Sequence, residues 1–178
     1  MRTIELESMA IEIPVFVGHP NREAFRGVLT LVDTTSDRAP AGARGHRVVL
    51  TRSAAETALP SLLGMALDYS PSLDRHDAQR KVGIITQAEI VGKALEISGY
   101  LFAKDFPEIV EHIGRAGRLG TESHERGLGM SYEIADASIA DARAQVWTLT
   151  QATFTGAAIL RRDKAAYRDT WIQLQRQI

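Results

Sequence analysis

Residues 81–105, KVGIITQAEIVGKALEISGYLFAKD, decide the architecture. Two β-rich runs, Val82–Ile90 and Leu95–Phe102, flank the dipeptide Gly92-Lys93. β-Branched apolar side chains on either side of a two-residue turn containing glycine predict an antiparallel hairpin. Upstream, FRGVLTLVD (25–33) and RVVLT (47–51) read as strands, separated by a loop (33–45) rich in Asp, Pro, Ala and Gly. Ser53 has the character of a helix N-cap, with Glu56 in the capping-box position, and the short helix it opens is interrupted by Pro60. Leu62–Tyr69 is a further apolar segment, read as a strand that leads into a polar loop at 70–80.

Downstream of the hairpin, Pro107 suits a first helical turn, and Ile109, Val110 and Ile113 supply an apolar stripe. A polar loop (118–127) leads to the strand LGMSYEIADASI (128–139), a turn at Asp141, and the returning strand AQVWTLTQATF (144–154). From Gly156 onward, abundant Ala, Leu, Gln and Arg predict a helix. Its last stretch, 161–178, carries five basic and two acidic side chains, giving a basic carboxy-terminal helix. The sum is one α+β, mostly-β domain over residues 1–178, with about seven strands and two or three helices.

Composition narrows the chemistry. With no cysteine among 178 residues, disulfides, cysteine-ligated zinc, iron–sulfur clusters and thiol catalysis are excluded. A balance of 21 basic against 22 acidic side chains argues against nucleic acid as a partner. The longest uncharged stretch, 144–160, holds four Thr and two Gln, too polar for a membrane span. The opening octapeptide MRTIELES is more acidic than basic and no apolar signal region follows, so a cytoplasmic protein is expected.

The histidines (His19, His46, His76, His112, His124) are scattered and form no HExxH motif, so no metal is expected. AGARGH (41–46) lacks the Lys-Ser/Thr of a phosphate loop, and no GxSxG elbow occurs; no cofactor is expected either. Two residues stand out. Ser131, in GLGMSYE, follows two closely spaced glycines at the start of an apolar strand. His76, in SLDRHDAQRKVG, sits in a polar loop running into the central hairpin, where a general base is commonly placed. An exposed strand serine and a solvated loop histidine are the plainer readings, and periodicity alone does not pair the two.

The order of motifs adds to this. LPSLLGMALDY (59–69), HD-x5-G (His76, Asp77, Gly83), ITQAEIVGKALEISGYLFAKDFPE (85–108), LGMSYE (128–133) and TFTGAAILRRDKAAY (153–167) together resemble the prohead (capsid maturation) proteases of tailed bacteriophages. The resemblance runs from about residue 25 to 170. That family is similar to the herpesvirus assemblins. The resemblance implies a small, closed or partly closed antiparallel β-barrel flanked by helices, with serine endopeptidase activity. Carried over by position, His76 becomes the general base and Ser131 the nucleophile.

In related phage proteases a third member, a carboxylate, comes from the strand after the serine, but AQVWTLTQATF has no acid or histidine. A turn near Asp141 predicts residues 151–153 opposite Ser131, giving Gln151 and Thr153 as candidates. Glu133 shares the face of Ser131 by the two-residue period of a strand and ranks first, with Thr153 second. TGAAILRR (155–162) is the candidate oxyanion hole, through backbone N–H groups at Gly156 or Arg161 and positive potential from Arg161 or Arg162. The resemblance implies phage scaffold and major capsid proteins, and the protease itself, as substrates. It also implies a homo-oligomer acting inside the precursor capsid in the host cytoplasm, without membrane or nucleic-acid partners. The competing readings are a catalytically inactive head-assembly scaffold or shell protein that keeps the fold, favoured by the missing acid, and a small-molecule-binding β-barrel.

Overall fold

A computed structural model describes residues 19–118 and 127–175. The expected hairpin is present: β4 (Lys81–Val91) and β5 (Ala94–Leu101) pair antiparallel, closing at Val91↔Ala94. Gly92, at the first turn position, has φ +60°, the left-handed conformation that a tight hairpin demands there and a side chain disfavours. Along β5, Leu95, Ile97, Gly99 and Leu101 are buried and the alternating Glu96, Ser98 and Tyr100 are not, as the alternation predicts.

β1 (Glu23–Leu31) pairs with β5, and β8 (Trp171–Leu174) pairs with β1. On the other side of the hairpin, β3 (Ala66–Tyr69) pairs with β4. The spine of the sheet is β7 (Val146–Arg161), 16 residues long. β7 pairs in parallel with β2 (Arg47–Leu50) near its start and with β3 near its end, and antiparallel with β6 (Leu128–Ile139) along its other edge. Two α-helices, α1 (Arg52–Ala58) and α2 (Pro107–Arg118), and a 3₁₀ turn at Leu59–Leu62 complete the elements among the described residues.

The eight-stranded sheet curls until β6 faces β1 and β8, a partly closed barrel. A Cβ on Gly27 of β1 would lie 2.9 Å from Met130 Sδ of β6 and collide with the Trp171 carbonyl, so only glycine permits this approach. Beside it, the Met130 N–H donates to the Thr170 hydroxyl at 3.1 Å across the seam. Phe25, Leu29, Leu50, Leu67, Ile85, Met130 and Phe154 fill the interior, and Ile109 and Ile113 of α2 join them.

Four expectations need correction. The sheet is mixed rather than wholly antiparallel, because β2 and β3 run parallel to β7. The predicted helix from Gly156, and the basic helix at 161–178, is absent among the described residues: β7 continues through Arg161, a turn follows, and β8 supplies the eighth strand. Gly156–Leu160 is fully buried between strands on both sides, and such a strand reads as a continuous apolar run whose alanines carry helix propensity that packing overrides. The cap of α1 is Thr51, whose hydroxyl accepts from the Ala54 N–H at 3.2 Å, not Ser53; β2 ends at Leu50, so the chain turns earlier. Finally, Ser131 lies opposite Ala158 instead of residues 151–153.

Candidate active site

The altered register sets the site. The β6–β7 connection spans residues 140–145, with Arg143 N–H held by the Asp141 carboxylate at 2.8 Å, and register shifts along β6 move the pairing further. Thr153 consequently pairs with Ala135, and Gln151 with Ser138, both far along the strand from Ser131. Ser131 points away from the core, between the inward-facing Met130, which is 1% exposed, and Tyr132, whose ring packs edge-on against Phe154 at 5.5 Å.

On the far side of Ala158 lies Asp68 of β3, in the same cross-strand row. Its neighbours Leu67 and Tyr69 enter the core, so Asp68 faces outward as Ser131 does, yet it is only 1% exposed because the 70–80 loop folds over it. That loop is fixed at both ends. Leu73, with φ +54°, offers its carbonyl to the Arg161 N–H at 2.8 Å, and the Asp77 N–H donates to Asp68 Oδ1 at 3.0 Å. Within the loop the Ser72 hydroxyl donates to the Asp74 carboxylate, which holds that acid below the usual carboxylate range.

His76 spans the row. Its Nε2 stands 3.2 Å from Ser131 Oγ, and its Nδ1 stands 3.2 Å from Asp68 Oδ2. An ionised carboxylate only accepts hydrogen bonds, so Nδ1 carries the proton and Nε2 is left to accept from the serine hydroxyl. A buried carboxylate needs compensation. Asp68 finds it in the imidazole N–H, the Asp77 N–H, and the Lys81 ammonium 3.8 Å away.

The structure brings together the serine and histidine that the resemblance paired, and sets beside the histidine a carboxylate, Asp68, that the sequence reading did not single out. Glu133 does approach His76 Nδ1, at 3.6 Å, but its side chain is 50% exposed, and Asp68 is closer and buried. Thr153 takes no part. The one signal for Asp68 in the sequence is a lone acid inside the apolar tetrapeptide ALDY, costly in a buried strand unless something pairs with it.

Of the expected oxyanion donors, the two arginine backbone N–H groups and the Arg161 guanidinium are occupied, whereas Arg162 Nε is buried without a hydrogen-bond partner. Arg161 N–H serves Leu73, Arg162 N–H serves the Gly127 carbonyl at 2.9 Å, and the Arg161 guanidinium pairs with Asp163 at 3.2 Å. Gly156 lies opposite Glu133, where the missing Cβ leaves room for the glutamate: a Cβ would sit 2.9 Å from Glu133 Oε2. No three potential ligands cluster for a metal among the described residues, and His124 falls outside them. No described helix is long and apolar enough to cross a membrane.

No protein-family model matches the chain, and no curated protein does. Among solved structures, the chain is similar to the KSHV protease in complex with a hexapeptide phosphonate inhibitor, with a TM-score of 0.50 at 12% sequence identity. The match covers 87% of this chain and 66% of that one, so this chain spans slightly less than two thirds of the viral protease chain. At that identity the likeness is one of fold: a curled, mostly-β sheet with flanking helices is common to this chain and a herpesvirus serine protease.

Proposed function

We propose that the chain is a serine endopeptidase in which Asp68, His76 and Ser131 form the catalytic triad. The observation that carries this reading is the unbroken hydrogen-bonded chain from a buried carboxylate through both imidazole nitrogens to a serine hydroxyl. Ser131 Oγ attacks the scissile carbonyl as its proton passes to His76 Nε2. Asp68 stabilises the resulting imidazolium through Nδ1–H. Collapse of the tetrahedral intermediate breaks the C–N bond, and Nε2–H protonates the departing amine. Water, deprotonated by the same nitrogen, then releases the acyl group and restores Ser131.

Two further points support this reading. The fold is shared with a viral protease that binds a peptide phosphonate, a mimic of the tetrahedral intermediate at serine. The rival of a silent shell protein drew on the absence of an acid from β7, and Asp68 supplies that acid from β3. The ordered motifs that resemble phage prohead proteases extend the proposal to substrates: scaffold and capsid proteins, processed inside a precursor shell in the host cytoplasm.

The test is covalent labelling with a fluorophosphonate, followed by mass spectrometry, together with co-expression beside a scaffold or capsid protein. Ser131 is the expected adduct site, Ser131→Ala abolishes labelling and processing, and His76→Ala slows both by at least about a thousandfold. Processing that survives Ser131→Ala refutes the assignment.

A further inference from the structure

Glu133 is surplus to the triad. The Nδ1–H of His76 holds one hydrogen, and Asp68 takes it from a shorter distance and a buried position. Glu133 nevertheless stands two residues from Ser131 on the same face of β6, about 7 Å along the strand. Its side chain lies over Gly156, where no Cβ obstructs it, and half of it is open to solvent. No lysine or arginine pairs with it among the described residues, and the His76 imidazole is the basic group beside it.

Three of the nearby cations are committed to other carboxylates, and Arg75, next to His76, acts on Asp74. Lys81 faces Asp68, Arg80 pairs with Glu108 at 3.8 Å, and Arg161 pairs with Asp163. The rim of the site therefore presents, beside Ser131, a half-exposed carboxylate that no lysine or arginine pairs with among the described residues. An extended peptide laid along this face places alternate side chains at the spacing of Ser131 and Glu133.

The geometry points to Glu133 as a specificity-determining residue that receives a lysine or arginine side chain of the substrate within two residues of the scissile bond. This rests on the protease reading above. Desolvation by the bound peptide strengthens such a pair beyond what an exposed ion pair gives, and salt weakens it.

The experiment uses a peptide library cut by the purified chain, with cleavage sites read by mass spectrometry, then matched peptides carrying Lys, Gln or Glu at the enriched position. The wild type is expected to prefer Lys over Glu by roughly tenfold in kcat/KM, chiefly through KM, with the preference shrinking at high salt. Glu133→Gln should flatten the preference, and Glu133→Arg should invert it towards the acidic peptide. Cleavage with no charge preference in the wild type overturns the inference and leaves the protease reading intact. So does a Glu133→Gln variant that loses kcat equally on all three peptides and shifts the acid limb of the pH profile, for that marks a residue acting on His76. A wild type that neither cleaves peptides nor labels at Ser131 removes both.

Discussion

Ser131 and Asp68 share one cross-strand partner: Ala158 of β7 pairs antiparallel with the first and parallel with the second. Neighbouring strands lie about 4.8 Å apart, so the two sit about 10 Å from each other with a methyl group between them. That gap is one an imidazole ring can bridge. A larger side chain at Ala158, which is fully buried, lifts His76 from its seat. Ala158→Val should reduce fluorophosphonate labelling of Ser131 by about a hundredfold, since a shift of about 1 Å suffices for that. Far-ultraviolet circular dichroism and the melting curve would establish that the sheet persists.

Replacing Asp68 by Asn tests the tautomer. The amide oxygen can still accept the Asp77 N–H, but an amide NH₂ facing Nδ1 asks that nitrogen to accept. The proton then moves to Nε2, which no longer takes one from Ser131. The expected loss in kcat is about 10⁴-fold with little change in KM. Lys81 would lose its buried partner as well, so a fall in urea midpoint should accompany the kinetic loss.

The hairpin and most strands could be read from the sequence because their evidence is local: a glycine turn at Gly92, alternation along β5, apolar runs bounded by polar loops. The acid could not be read in the same way. Asp68 reaches the site only because a four-residue strand docks in parallel on a partner some ninety residues later, and parallel pairing leaves no turn to anchor its register. Thr153 and Gln151 failed as candidates for a related reason, because the connection at 140–145 and the irregularities along β6 shift a hairpin count by several residues. β8 was hidden by its composition. WIQL earns its strand by burying Ile172 against β1, a gain that helix propensity does not register.

Thr170 holds the seam beside Ser131. Fully buried, its hydroxyl accepts the Met130 N–H at 3.1 Å and donates to the Tyr167 carbonyl at 2.9 Å. Thr170→Val is nearly isosteric; it leaves the Met130 N–H without its acceptor and the Tyr167 carbonyl with only the backbone N–H of residue 170, at 3.4 Å. The variant should be destabilised by about 1–3 kcal/mol in urea denaturation with an unchanged m-value. A neutral result would mean that β6 is held to the seam by apolar packing alone.

Alkaline pH offers a probe of the core. Burial pushes the Tyr132 phenol up to about 12, and it raises Tyr167 too, whose hydroxyl donates to the Thr34 and Val48 carbonyls. Between about pH 10, where the unfolded chain releases these protons, and about pH 12, the folded state retains more of them. Stability must therefore fall as pH rises through that window, by up to about 1.4 kcal/mol per unit for each buried phenol. Absorbance at 295 nm should show these two tyrosines ionising together with the loss of near-ultraviolet dichroism, not before it.

The long central strand also has a consequence for the timing of synthesis. Asp68 and His76 lie eight residues apart, whereas the serine follows 55 residues after the histidine. Neither half is aligned with the other until β7 has left the ribosome and inserted between β3 and β6. On the protease reading proposed above, a growing chain carries Asp68, His76 and even Ser131 while remaining harmless to itself and its neighbours. At translation rates of roughly 5–20 residues per second, that interval lasts for seconds. The row is completed in one step, when a single late strand draws three distant side chains into line.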